Sequence, residues 1–123
     1  MTADYKVSKD VVEAAYQASL SWLKLLDKEK YGDSWEKSSS LMKTAIQKEA
    51  WTHVLEQTHK PFGHLISRDI MDKRAAKNPK GLPPGEYMVM VYKSSFAHKA
   101  STLELVTLYL EKGHWNIVTY QAN

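Results

Sequence analysis

Apolar residues recur along this chain in two rhythms, helical in the first half and alternating in the second. Val12, Ala15, Tyr16, Ser19, Trp22, Leu23 and Leu26 fall at helical spacing and form one stripe, the pattern of an amphipathic helix. Ser8 stands where an N-cap is needed and Asp10 complements the dipole of the first turn. That helix should end before Tyr31-Gly32. A second is predicted from Asp33, because Asp33 and Glu36 have capping-box spacing, with Trp35, Ser38, Ser39, Met42 and Ile46 on its stripe. Trp51, Val54, Leu55 and Thr58 mark a third, which Pro61-Phe62-Gly63 must stop. With no Gly or Pro between Thr44 and Lys48, residues 33–58 read equally as one kinked helix or two.

Beyond Gly63 the period changes to two. His64–Asp72 gives a weak strand, interrupted by Arg68 and Asp69. Residues 76–85, with Asn78-Pro79, Gly81 and Pro83-Pro84-Gly85, are turn chemistry and predict a surface loop. Three stronger strands follow: Glu86–Phe96, Thr102–Leu110 and His114–Tyr120. Hairpin turns are placed at Ala97–Ala100 and Glu111–His114, with Gly113 suited to a left-handed position. Helices first and strands after argue an α+β domain, its helices packed on one face of a four-stranded antiparallel sheet. The domain is assigned to residues 8–123 and a loose tail to residues 1–7.

The simplest hairpin registers put Val91 opposite Val106, Val89 opposite Leu108, Leu110 opposite Trp115 and Leu108 opposite Ile117. Side chains alternate along a strand, so one face collects Val89, Val91, Val106, Leu108, Leu110, Trp115 and Ile117. That uniform set is assigned to the helix-packed core. The other face collects Met88, Met90, Tyr92, Tyr109 and Tyr120 among its members, and Met with Tyr is a composition favoured at interfaces. These five residues are the predicted interface. An ordinary solvated sheet face is the alternative, and a one-residue slip would exchange the two sets.

The chain has 123 residues, enough for a core without staples, and a formal charge of +3 that is scattered rather than blocked. Its densest basic stretch, Lys73-Arg74 to Lys77 and Lys80, is placed in the Pro/Gly-rich loop, which speaks against a groove reader of nucleic acid, since those concentrate charge on one element. There is no cysteine, which removes thiol catalysis, disulfides and cysteine-held zinc. His53, His59, His64, His98 and His114 show no metal-ligand spacing, so no metal or cofactor is expected. No apolar run reaches the length of a membrane span. Glu104 is the single acid inside an otherwise apolar strand. It reads either as a cross-strand partner of Lys93 or as a desolvated base beside Tyr or His. Arg68 and Asp69 read as a solvated strand or an anion site, and Trp22, Trp35 and Trp51 as core or as the lining of a cavity.

The combination of Trp22-Leu23 to Asp27, Tyr31 with Ser34-Trp35, Trp51 to Leu55 and Pro61-Phe62-Gly63 is a familiar one. So is the later series of Gly85-Glu86-Tyr87 to Phe96, Lys99, Glu104 to Thr107, and Trp115 to Tyr120. Together they resemble a bacterial family catalogued as domain of unknown function 4019, over about Val12 to Tyr120. The chain departs from that pattern at Tyr109, Gln121 and the Lys112-Gly113-His114 hairpin. The resemblance implies a curved sheet similar to the cones of cystatins and nuclear transport factor 2. It carries no catalytic residue. It also implies a periplasmic or secreted protein where a leader has been removed, and a cytoplasmic one otherwise.

These readings favour a non-enzymatic domain that binds a partner or forms a homodimer through the exposed sheet face. The alternative is a small-molecule carrier, or an enzyme of isomerase or dehydratase type, using a cavity between sheet and helices. Tyr16, Trp35, Arg68 and Glu104 are the residues expected to line it.

Overall fold

The computed structural model describes residues 6–123. Of the tail assigned to residues 1–7, the first five lie outside the described residues, and Val7 packs against the core. Ser8 caps the first helix as its spacing predicts: its Oγ accepts from the Val11 N–H at 3.2 Å, and Lys9–Asp27 (α1) follows. The predicted stripe is the buried one, with Ala15, Ser19, Trp22, Leu23 and Leu26 inside.

Residues 33–58 form neither one kinked helix nor two. They belong to three short helices, Tyr31–Glu36 (α2), Ser40–Ala45 (α3) and Lys48–Thr58 (α4), followed by a 3₁₀ turn at Lys60–Phe62. Asp33 lies inside α2 rather than capping it. Ser39 is the residue that restarts the chain, its Oγ accepting from the Met42 N–H at 3.2 Å. Helices of six residues are too short to stand alone. Indole N–H groups pin them instead. Trp22 donates to the Ser34 carbonyl at 2.9 Å, Trp51 to Ser34 Oγ at 2.9 Å, and Trp35 to the Ile46 carbonyl at 2.9 Å.

The sheet is Leu65–Lys77 (β1), Glu86–Phe96 (β2), Lys99–Glu111 (β3) and His114–Ala122 (β4), antiparallel throughout and in that spatial order. Helix α1 packs against all four strands, and α3 against β4. β1 runs five residues past the predicted Asp72, so Lys73, Arg74 and Lys77 lie on a strand paired with β2 rather than in the loop, and it carries register shifts between Leu65 and Ser67 and between Ile70 and Asp72. Bulges of this kind protect an edge strand from further pairing. The turn between β3 and β4 is as expected: Lys112 and Gly113 both have positive φ, 50° and 82°, and Glu111 pairs with His114.

The other hairpin corrects the sequence reading. Its turn is Ala97-His98 alone, and a shift between Ser94 and Phe96 moves β2 by one residue against β3. Met90 therefore pairs with Val106 and Met88 with Leu108, while Val91 meets Leu105 and Val89 meets Thr107. In β2 the slip exchanges the faces. Met88, Met90 and Tyr92 enter the core beside Val106, Leu108 and Ile117, and the aliphatic Val89 and Val91 turn outward.

Candidate functional site

Glu104 sits on β3 with its side chain fully buried, among the inward residues beneath the last turn of α1. A carboxylate in that position needs partners for both oxygens. Arg68 on β1 supplies two: Nε donates to Oε1 at 2.7 Å and Nη2 to Oε2 at 3.3 Å. Ser94 on β2 donates to Oε1 at 2.5 Å, and Tyr120 on β4 donates to Oε2 at 2.5 Å. Arg68 completes the set by gripping Asp27, the last residue of α1, through both terminal nitrogens at 2.9 Å. One guanidinium and one carboxylate thus join all four strands to the first helix.

Electrostatics follow from this geometry. Burial opposes the charge on Arg68, but hydrogen bonds and charge from Asp27 and Glu104 outweigh it and raise its pKa. Burial and the neighbouring Glu104 carboxylate push the Tyr120 hydroxyl well above the ordinary tyrosine value, so it stays a donor. Two carboxylates face one cation, giving the cluster a formal charge of −1. Each Glu104 oxygen already accepts two hydrogen bonds. To abstract a proton it would first have to surrender one of them.

The predicted pair of Glu104 with Lys93 does not form. Glu104 stands opposite Tyr92 and faces inward, whereas Lys93 stands opposite Leu103 and is exposed. Of the four residues assigned to a cavity, Arg68 and Glu104 come together. Tyr16 reaches only the cluster's neighbour: its ring stacks on Tyr92 at 6.3 Å, and Lys73 Nζ lies 4.3 Å above it. Burial raises the Tyr92 pKa to about 12. Its hydroxyl donates to Ser19, whose own proton goes to the Tyr16 carbonyl at 2.7 Å. Trp35 belongs to the short-helix layer, tied to Ile46. Of the five residues assigned to an interface, Met88, Met90 and Tyr92 are buried at 1% exposure or less, and Tyr120 is bound to Glu104. Only Tyr109 lies on the outward face.

Beside the cluster a second buried polar residue closes the core. His59, at the end of α4, bonds the Tyr31 hydroxyl through Nδ1 at 2.8 Å and sits among the rings of Phe62, Phe96 and Tyr120. Its Nε2 is buried without a hydrogen-bond partner. Burial lowers its pKa below the ordinary 6.5.

Two surfaces remain open. The outward sheet face carries Val89 and Val91 of β2 beside Leu103, Leu105 and Thr107 of β3, with Leu103 40% exposed. Asp69, Asp72 and Arg74 on β1 and Thr119 and Gln121 on β4 border it. At one end the 78–85 loop folds back, so that Tyr87 donates to the Pro83 carbonyl at 2.7 Å and Tyr109 to that of Pro84 at 3.3 Å. On the opposite side, a groove of about 400 Å³ runs between α1 and β4, with Lys37 at the end of α2 among its lining residues.

Sequence reasoning missed Ser94 and Tyr120 as partners of Glu104, and Asp27 as the second carboxylate held by Arg68. Asp27 gave a signal: it is an acid at a helix C-terminus, where the dipole favours a cation, so it needed one from elsewhere. Ser94 gave none beyond being a polar residue in an apolar strand. Among the described residues, no three His, Asp or Glu side chains are grouped so as to hold a metal ion, and no helix is long and apolar enough to cross a membrane. A family model described as protein of unknown function (DUF4019) matches residues 18–120. No curated protein matches the chain.

Proposed function

The chain belongs to the DUF4019 family of proteins of unknown function, whose name carries no activity, and we propose from its geometry a non-enzymatic binding domain that self-associates through its outward sheet face. The observation that carries this reading is the slip of β2. It leaves Val89, Val91, Leu103 and Leu105 together on a face that no helix among the described residues covers. An apolar centre with a polar margin is the anatomy of an interface. The margin favours a second copy as the occupant, because it holds both signs, Asp69 with Lys93 beside the Asp72–Arg74 ion pair. A two-fold pairing can then set acid against base.

Size limits the strength. Four strands about 4.8 Å apart, over nine residues at about 3.3 Å, cover about 600 Å² per copy. Twice that is at the lower end of specific interfaces, so dissociation in the micromolar range is expected. The saturation of Glu104 by its four hydrogen bonds supports the non-enzymatic part of the proposal.

Multi-angle light scattering and sedimentation over about 10 μM to 1 mM test it. The expected result is a monomer–dimer equilibrium that Leu105→Glu abolishes while the unfolding midpoint stays nearly unchanged. A wild-type chain that is monomeric at 1 mM, or a dimer indifferent to Leu105→Glu, overturns the reading.

A further inference from the structure

The groove between α1 and β4 rests on different residues from the sheet face and is argued independently of it. Its walls are Trp22, Leu25, Trp115 and Ile117, and its volume of about 400 Å³ is at the small end of the range for small-molecule sites. Its one charged lining residue is a donor, Lys37. Lys37 makes no ion pair or side-chain hydrogen bond with any described residue, and no acid is among the lining residues.

Trp115 adds a second donor. The three helix tryptophans each place their indole N–H on a carbonyl or hydroxyl oxygen, at 2.9 Å. The Trp115 indole N–H has no such partner among the described residues, and this is the tryptophan at the groove on an edge strand. One carboxylate bonds to the lining: Glu111 accepts from Asn116 at 3.1 Å. It is also bonded by the Ser40 backbone N–H at 3.0 Å and by the Ser40 hydroxyl, so it has no need of Lys37. Burial works against the Glu111 charge, but these hydrogen bonds prevail and lower its pKa.

We infer that the groove binds a small amphipathic carboxylate, its apolar body against Trp22, Trp115 and Leu25 and its carboxylate at Lys37. Apolar walls alone would accept any compact hydrophobe. The unpaired cation, exposed at the groove with no acid among the lining residues, selects a monoanion by charge complementarity, and a charge-assisted hydrogen bond is the stronger kind.

Titration calorimetry with decanoate, 1-decanol and decylamine, below the concentration at which each aggregates, tests this on the full chain. Tryptophan fluorescence is followed in parallel. Decanoate should bind saturably at one site per chain and change the fluorescence, with decylamine at least tenfold weaker. Lys37→Met should weaken decanoate about tenfold and leave decanol unchanged. Ala18→Phe, which fills the groove from the half-buried side of α1, should abolish both while circular dichroism and the unfolding midpoint stay close to wild type. Three outcomes overturn the inference: no saturable decanoate binding, equal affinity for the amine, or decanoate binding untouched by either substitution. Binding only to dimer, lost in Leu105→Glu, would relocate the ligand to the sheet face and overturn it as well.

Discussion

Removing the Arg68 guanidinium should destabilise this fold more than neutralising the carboxylate that it serves. At an effective dielectric of about 20, each carboxylate about 4 Å from the guanidinium charge gains about 4 kcal/mol of attraction. Arg68→Met loses two such attractions, one to Asp27 and one to Glu104. It leaves Glu104 fully buried with no cation and only Ser94 and Tyr120 as donors. Breaking a buried pair from the cationic side in this way costs about 3–5 kcal/mol. Glu104→Gln loses one attraction but also removes a buried charge, and leaves Arg68 and Asp27 as a balanced pair. Its cost is that of mismatched hydrogen bonds, about 1–3 kcal/mol.

Urea denaturation followed by tryptophan fluorescence reads both. With a slope of about 2 kcal/mol/M, Arg68→Met should lower the midpoint by about 1.5–2.5 M and Glu104→Gln by about 0.5–1.5 M. The exposed Lys93→Met should change it little, and should add to either variant without coupling. A larger loss from Glu104→Gln than from Arg68→Met would refute the reasoning, as would losses below about 1 kcal/mol for both.

Two further substitutions probe the core and the loop. His59 has a lowered folded-state pKa because burial disfavours the charged imidazolium, and its Nε2 has no hydrogen-bond partner to offset that. The unfolded chain then binds more protons below 6.5, so stability is full above that pH and falls as pH drops from 6.5 to the lower folded value, at up to about 1.4 kcal/mol per unit. His59→Asn, which can keep the bond to Tyr31, should flatten that part of the profile; identical slopes in both proteins would refute the assignment. In the 78–85 loop, Gly85 has φ 146° and a Cβ there would lie 2.6 Å from the Tyr109 ring, whereas Gly81, at φ 88°, has nothing within 4 Å. Gly85→Ala should cost about 2–3 kcal/mol and Gly81→Ala about 1 kcal/mol in thermal unfolding, and equal losses would count against the packing of that loop on Tyr109.

Periodicity made the element types legible, because a helical stripe or an alternation is a local signal. α1 with its Ser8 cap, the three strong strands and the Lys112-Gly113 turn were all visible in that way. The three-way break of residues 31–58 was not. It depends on Ser39 capping α3, which is local, and on indole bonds from Trp22 and Trp51 to Ser34, which are contacts between distant residues. Register was the larger loss. β2 has apolar side chains on both faces, so its pattern fits either of two registers, and only the length of the turn and one bulge separate them. Glu104 was legible as an anomaly, and Arg68 as another, but their pairing crosses 36 residues and two strands.

What separates the two registers is polar. In the shifted arrangement Val89 and Val91 would be inside, and Lys93 could reach Glu104. The hydrophobic gain would be similar, because Val and Met bury comparable apolar surface. The observed register alone turns Ser94 inward to Glu104 and Tyr92 inward to Ser19, while the closed loop over Tyr87 and Tyr109 holds the far end of the strand. A buried polar group tolerates few alternatives, since each missed hydrogen bond costs about 1–3 kcal/mol. Buried ionic groups are best attested in this role of fixing a register. The choice has a price at the surface: with Ser94 and Tyr92 inside, alternation places Val89 and Val91 outside, next to Leu103 and Leu105. The polar network that turns Ser94 and Tyr92 inward is thus also what puts an aliphatic patch on the sheet face that no described helix covers, and the self-association proposed for that face would follow from the core rather than from a separate feature of the surface.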